Sequence, residues 1–476
     1  VRKRTKLAGA VALGVGAAVA ADRLRGSARS ARNLQLVKVS SRVGADYAAH
    51  RARRVFASAE RKETLDAEFE IKSAEQVVAT LGNMKGALMK LGQMASYLDD
   101  GLPEPVREAL AQLQQDAPPM APGLAAQVIV DELGGKPEEV FAQWDPTPIA
   151  AASIGQVHRA ITHDDVAVAV KVQYPGVAEA IKADLDNSDV LFRLIGMVMP
   201  SFEPGPLVEE LRDRLTEELD YTLEAKNQKL FVDYYRDHPF ISIPAVVDGL
   251  STRRVLTTEL ADGVRFSEVM TWSQEERNLA GEAIYRFVFR SLYRMRAFNG
   301  DPHPGNYLFA PGGQVTFLDF GLVKHFNEAE MDMFAEMMIH STIRPDLEAY
   351  RKSIERFGIL KPGAPITDEE IRHYFGHFYE IVRESKEVTF THEYSAELVQ
   401  RLFDMQGRFG DVAKWSNLPP SMVIIQRINM GLYSVLAQLN ATANWRLVAE
   451  ELWPMTEGPP STEMGRKEAA WLASRG

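Results

Sequence analysis

Cysteine is absent from the 476 residues. That excludes disulfide bonds, thiolate catalysis and cysteine-ligated zinc. Long apolar runs are also scarce. Beyond residue 21 no segment strings together about 18 apolar residues, so the body is expected to be soluble or peripheral to a membrane. The one apolar run, Leu7–Ala21, falls short of the roughly 20 residues of a comfortable span and is rich in Ala and Gly rather than Leu. Arg2-Lys3-Arg4-Thr5-Lys6 precedes it and Arg23 and Arg25 follow, the layout of a signal sequence. The run reads as a short, weakly anchoring helix, or as an unstructured tail, on a cytoplasmic protein. Positive charge is scarce in the rest of the chain. Residues 1–62 hold 15 Lys/Arg against 3 Asp/Glu, and the net charge is −11, so the remainder carries −23. An acidic body argues against nucleic acid as a partner. The basic arm suits an anionic membrane surface or an acidic partner, or is simply solvated.

What is present is a chain long enough for two or more domains with a large core. Its chemistry gathers in Phe298–Gly321. Asp301 is followed five residues later by Asn306, and Asp319-Phe320-Gly321 comes after a Pro311-Gly312-Gly313 turn. Tyr307–Phe309 and Val315–Leu318 read as the two strands of a hairpin. The hairpin brings two carboxylates and an amide to one edge, a hard-oxygen set suited to Mg²⁺. The order D-x-x-x-x-N, then D-F-G, is how protein kinases place a base and two metal ligands under a nucleotide's phosphates.

Upstream, Val157 and Ala160-Ile161 alternate, a His163-Asp164-Asp165 turn follows, and Val166–Val172 alternates again. On that second strand Val166, Val168 and Val170 face one side, and Ala167, Ala169 and Lys171 the other. Small side chains beside a lysine leave room for a flat ligand whose phosphates reach the ammonium. Before this hairpin, Asp145-Pro-Thr-Pro148 reads as a break, and Ala150-Ala151-Ala152-Ser153 as an Ala-rich turn in the place of a Gly-rich phosphate loop. Its Cβ atoms should hold the backbone slightly farther from the phosphates. Leu207–Phe231 reads as one long helix, with a buried seam at Leu207, Leu211, Leu215, Leu219 and Leu223. Glu218, Asp220 and Glu224 lie beside that seam, and Glu224 is chosen as the partner of Lys171. Ile241–Val247 and Arg254–Leu260 read as strands joined at Asp248-Gly249. The second leads to Glu259 and Ala261, the expected connector whose backbone meets adenine, with Thr258 behind it. A helical pattern from Leu65 to Leu113 carries Lys90-x-Gly92-Gln93. Beyond Gly321 there is no Ala-Pro-Glu and no long polar activation segment. Helices are expected over Glu328–His340, Asp346–Phe357, Asp368–Glu384, Ala396–Phe409, Ser421–Leu439 and Asn444–Leu452.

These motifs, in this order, resemble the ABC1/UbiB/ADCK family of atypical kinases, called AarF-like in bacteria. The carrying residues are Lys90-x-Gly92-Gln93, Ala150–Ser153 with Ile154-Gly155-Gln156-Val157-His158, Val168-Ala-Val-Lys171, Glu218-x-Asp220 with Glu224, Asp301-Pro-His-Pro-Gly-Asn306 and Asp319-Phe-Gly321. The resemblance implies an α+β, bilobal protein-kinase-like fold with an N-terminal helical extension and a helical C-terminal region. Its boundaries would be a basic arm at 1–62, the extension at 63–122, an N-lobe with inserted helices at 123–260 and a C-lobe at 261–476. It implies ATP and Mg²⁺ as cofactors. Lys171 and Glu224 would orient phosphates, Asn306 and Asp319 would hold metal, and Asp301 would be the catalytic base. Lys90, Gly92 and Gln93 would fold over the site to meet Glu218 and Asp220, shutting out protein substrates. The function implied is an ATPase or small-molecule kinase acting on a prenyl-lipid or quinone precursor, or with quinone-biosynthesis proteins, at a membrane. A pseudokinase-like scaffold and a protein kinase acting in trans are the alternatives. Asn299-Gly300 stands where kinases carry His-Arg, which fits the missing activation segment.

Overall fold

The computed structural model describes residues 122–152, 154–178, 216–300, 302–403, 410–417 and 420–475. All of these except Ala178 belong to one compact unit that includes Pro118–Val177 and Arg214–Gly476. Lys90, Gly92, Gln93, Ser153, Asp301 and the run Leu7–Ala21 lie outside the described residues.

Alternating small and branched residues build the first layer. Strands β1 (Gln143–Ala152), β2 (Gly155–Ile161), β3 (Ala167–Gln173) and β5 (Val255–Glu259) form an antiparallel sheet in the order β1-β2-β3-β5. On β3, Val168, Val170 and Val172 enter an apolar core, while Ala167, Ala169 and Lys171 face the other way, as the period of two requires. Helix α1 (Pro122–Leu133) closes that core with Val128 and Ile129.

The strand β1 was expected to be a break followed by an Ala-rich turn. It is instead an edge strand that tolerates Pro146 and Pro148 because it is bulged. Trp144 pairs with Ala160 and Pro148 with His158, so the bulge falls between them. His158, fully buried, holds it: Nδ1 lies 2.9 Å from the Asp145 carbonyl, Nε2 lies 2.8 Å from the Gln156 amide nitrogen, and the ring stacks on Trp144 at 4.6 Å. A carbonyl only accepts, so Nδ1 carries the proton and Nε2 accepts from Gln156. Burial keeps the ring neutral, pushing its pKa down.

The long helix expected over Leu207–Phe231 breaks at Asp220. That residue leaves helical geometry and caps α2 (Tyr221–Tyr234), accepting from the Thr222 amide at 3.0 Å and the Thr222 hydroxyl at 2.6 Å. The break resets the helical phase. Leu223, placed by the sequence in a buried seam, is therefore 44% exposed. The inward face of α2 is Tyr221, Glu224, Gln228 and Phe231.

The second layer is mainly helical, around α3 (Gln274–Arg290) and its π-turn Ser291–Met295. The first of the two strands expected near residue 245 shortens to β4 (Ile241–Ser242). It pairs parallel with β8 (Gln314–Phe317) rather than with β5, and Asp248–Leu250 is a 3-10 turn. The hairpin of β7 (Tyr307–Ala310) and β8 stands as expected, with Gly312 and Gly313 at φ of 79° and 75°. It nests inside a second pairing, β6 (Ala297–Asn299) with β9 (Val323–His325). Asn327 then caps α4 (Glu328–Met338), so Gly321 runs into a helix with no activation segment between. The helix expected over Asp368–Glu384 is broken into Asp368–Phe375, a 3-10 turn and Glu380–Arg383. Other expected helices are present as Leu347–Arg356, His392–Phe403, Pro420–Gln438 and α5 (Trp445–Leu452).

One helix was not anticipated, α6 (Glu463–Ser474). It docks through buried Met464 and Trp471 with a carboxylate between them. Buried Glu468 accepts from Arg290 at 2.7 Å and from Arg286 at 3.0 Å, and His238 lies 3.3 Å away. Arg286 also pairs with Glu451 on α5 and Glu282 on its own helix. Among the described residues, no helix is long and apolar enough to cross a membrane.

Candidate active site

Strand β3, helix α2 and the segment just after β8 meet at Lys171. Its Nζ, on β3, donates to both oxygens of Glu224 on α2, at 2.8 and 2.9 Å. The same nitrogen lies 3.4 Å from Asp319 Oδ2, just after β8. Glu224 is 4% exposed, and Tyr221, one turn earlier on the same face, puts its ring 5.0 Å beneath the ammonium. Burial alone would lower the Lys171 pKa. The Asp319 and Glu224 carboxylates outweigh it and raise the ammonium's pKa well above the ordinary value. Burial also pushes the Glu224 carboxyl upward, against Lys171, with Asp319 adding to the push. One cation therefore serves two carboxylates, and the trio has negative charge to spare for a metal ion.

Asp319 is fixed through its backbone. Its carbonyl accepts from Asn299 Nδ2 at 2.8 Å, its Oδ1 accepts from the Gly321 amide at 2.9 Å, and its side chain stays 30% exposed. Phe320 is fully buried, 4.9 Å from Phe231 on α2 and edge-on to Phe287 on α3, and its carbonyl accepts from Asn227 Nδ2 at 3.1 Å. Asn306 ends the 3-10 turn Pro304–Asn306. Its carbonyl accepts from the Leu318 amide at 3.0 Å, which sets it one residue from Asp319 across the hairpin. A partly exposed carboxylate beside an amide, next to spare negative charge, fits a Mg²⁺ ion that takes few protein oxygens and keeps phosphate and water ligands.

The Ala-rich segment lies above Lys171 in sheet order. Ala150, Ala151 and Ala152 pair with Val157, Gln156 and Gly155. A Cβ on Gly155 would collide with the Val172 carbonyl, so the strands can close here only with glycine. Across β3, Thr258 stands opposite Ala169 on the face that carries Lys171, as an adenine-pocket residue would. The side chain of Glu259 accepts from the Ala245 amide at 3.2 Å, and its own amide donates to the Ala245 carbonyl at 2.9 Å. Ala261 is half-buried, and Gly263, at φ of 144°, lets the connector pass Leu308 and Phe309. Glu218 is near enough to add negative potential at Glu224. Asp220, besides capping α2, lies 3.9 Å from Arg253.

Sequence reasoning missed Tyr221, Asn227 and Asn299. The first two were legible, since they stand three residues either side of Glu224 and share its helix face. Asn299 had no signal beyond its departure from the kinase pattern. With Gly300, it gives the departure a physical reason. Asn299 holds Asp319, and Gly300 donates to the Leu322 carbonyl at 2.7 Å where a Cβ would meet the Leu322 side chain at 2.9 Å.

Comparison with known proteins gives the family. The family model for the ABC1 atypical kinase-like domain matches residues 112–354, just over half of the chain. The mitochondrial atypical kinase COQ8B of Rattus norvegicus is 36% identical over 56% of this chain and 51% of its own length. The atypical kinase COQ8 of Saccharomyces cerevisiae is 29% identical over 59% of this chain and 56% of its own. The chain thus spans about half the length of the curated relatives it matches. A solved structure of Rv3197 with erythromycin, from Mycobacterium tuberculosis, is 31% identical with a TM-score of 0.61, covering 84% of this chain and all of that one. The chain belongs to the ABC1 atypical kinase-like family.

Proposed function

We propose that this protein binds a magnesium–ATP complex at Lys171, Glu224 and Asp319 and transfers the γ-phosphoryl group to a small molecule or to water. The observation that carries this is the two-fold hydrogen bond from Lys171 to Glu224, with Asp319 at 3.4 Å from the same nitrogen. Glu224 holds Lys171 toward the α- and β-phosphates. Asn306 and Asp319 hold the metal, which would neutralise phosphate charge. Asp301 orients the acceptor hydroxyl and takes its proton. Ala150–Ser153 cover the phosphates, and the backbone of Glu259–Ala261 meets adenine. The family resemblance suggests a prenyl-lipid or quinone-precursor acceptor. The basic arm, with Leu7–Ala21, suits an anionic membrane. Lys90, Gly92 and Gln93, with Glu218 and Asp220, would close the site to protein substrates.

The test is steady-state phosphate release by the full chain, with and without anionic vesicles and a prenylated phenol. Mg-dependent turnover that is lost in Lys171→Met, with no phosphorylation of added proteins, supports the reading. Mg–ATP binding without turnover under any of these conditions favours a nucleotide-dependent scaffold instead.

A further inference from the structure

Tyr221 brings to the site a hydroxyl that the roles assigned so far leave unused. The residue opens α2 and is 2% exposed. Its ring lies 5.0 Å from the Lys171 ammonium, a contact that a phenylalanine ring would also make. The hydroxyl itself is buried and makes no hydrogen bond among the described residues. Farther along the same helix Tyr235 is comparably buried, and its hydroxyl donates to the Phe287 carbonyl at 3.1 Å and lies 2.7 Å from Ser291 Oγ. Burying an unpaired hydroxyl opposes folding. A fold that needed only a ring under Lys171 would be better served by phenylalanine.

The place of the hydroxyl indicates where its partner enters. A Cβ built on Gly155 would lie 3.0 Å from it. Gly155 pairs with Ala152 on one side, closing the Ala-rich segment, and with Gln173 on the other. Val157, two residues on, pairs with Lys171. By the period of two, Gly155, Val157 and Lys171 share one face of the sheet. The hydroxyl therefore stands on the face that carries the ammonium, at the end where β1 turns into β2. Burial pushes its pKa up against the pull of Lys171, and Glu224 and Asp319 add to the push. The phenol keeps its proton and is available as a donor.

From this placement we infer that the Tyr221 hydroxyl donates to a phosphate oxygen of the bound nucleotide, beneath the Ala-rich turn. An Ala-rich cover holds its backbone farther from the phosphates than a Gly-rich one. A side-chain donor from α2 offsets that loss from the helix side. Phosphate would then face Tyr221 and Lys171 together, which ties the first turn of α2 to β3 once nucleotide is in place. The inference rests on the function proposed above, because it names a further contact within the same site.

The test is Tyr221→Phe in the full chain, which keeps the ring and removes the hydroxyl alone. Thermal unfolding without nucleotide should give a melting temperature unchanged or raised, since no hydrogen bond is lost. Titration calorimetry should show affinity for Mg–ATP reduced about tenfold or more. Wild-type affinity in Tyr221→Phe overturns the inference and leaves the proposed function standing. A lowered melting temperature without nucleotide also overturns it, because the hydroxyl then serves the fold. If the wild-type protein binds no Mg–ATP, the proposed function fails and this inference fails with it.

Discussion

Replacing Glu468 by Gln removes the only carboxylate that pairs with Arg290 among the described residues. It also takes one of three carboxylates from Arg286. Both guanidiniums are almost wholly buried, and the change leaves Arg290 without a carboxylate while Arg286 keeps Glu282 and Glu451. Breaking such a pair from one side costs about 3–5 kcal/mol. The pH dependence gives a second measure. Burial alone would raise the Glu468 pKa, but the His238 hydrogen bond, Arg290 and Arg286 outweigh it and hold it at about 2. A depressed carboxylate contributes stability that is fully present above the unfolded value of about 4.5. That stability is lost as pH falls through 4.5 toward 2, and it amounts to about 3 kcal/mol. Denaturant unfolding at pH 7 and at steps down to pH 3, followed by tryptophan fluorescence, reads both effects, because Trp471 on α6 packs on His238. The wild-type protein should be more stable by about 3 kcal/mol or more at pH 7, and the gap should narrow as the pH drops below 4.5. A gap below about 1 kcal/mol at pH 7, or one that does not narrow with acid, would refute the reasoning.

Other perturbations test the site. Glu224→Gln leaves Lys171 with Asp319 as its one carboxylate, so kcat/KM for ATP should fall about 10- to 100-fold with the melting temperature little changed, as turnover kinetics and calorimetry will show. Asn299→Ala frees the Asp319 carbonyl and should weaken Mg–ATP binding by about tenfold in titration calorimetry. In Gly300→Ala the new Cβ presses on Leu322, so thermal unfolding should show about 1–3 kcal/mol of destabilisation.

The parts of the fold that follow from local pattern were legible. The β2–β3 and β7–β8 hairpins were read from alternation and turn residues, and Lys171, Glu224 and Asp319 meet as that reading required. Features set by one side chain competing with a periodic pattern were not legible. Asp220 stops a helix whose four-residue leucine step reads straight through it, and so exposes Leu223. His158 stabilises a bulge inside β1, where two prolines had suggested no strand. The helix α6 is held partly by a buried carboxylate, which apolar periodicity does not register. Asn299 works through a backbone carbonyl twenty residues away, a contact that exists only once β6 and β9 pair.

The central claim is that Lys171, Glu224 and Asp319 form a metal–nucleotide site. Titration calorimetry of ATP into the full chain, with Mg²⁺ and with EDTA, against Asp319→Asn, tests it most directly. Binding should need Mg²⁺ in the wild-type protein and be lost or at least about tenfold weaker in the variant. Unchanged Mg–ATP affinity in Asp319→Asn would contradict it.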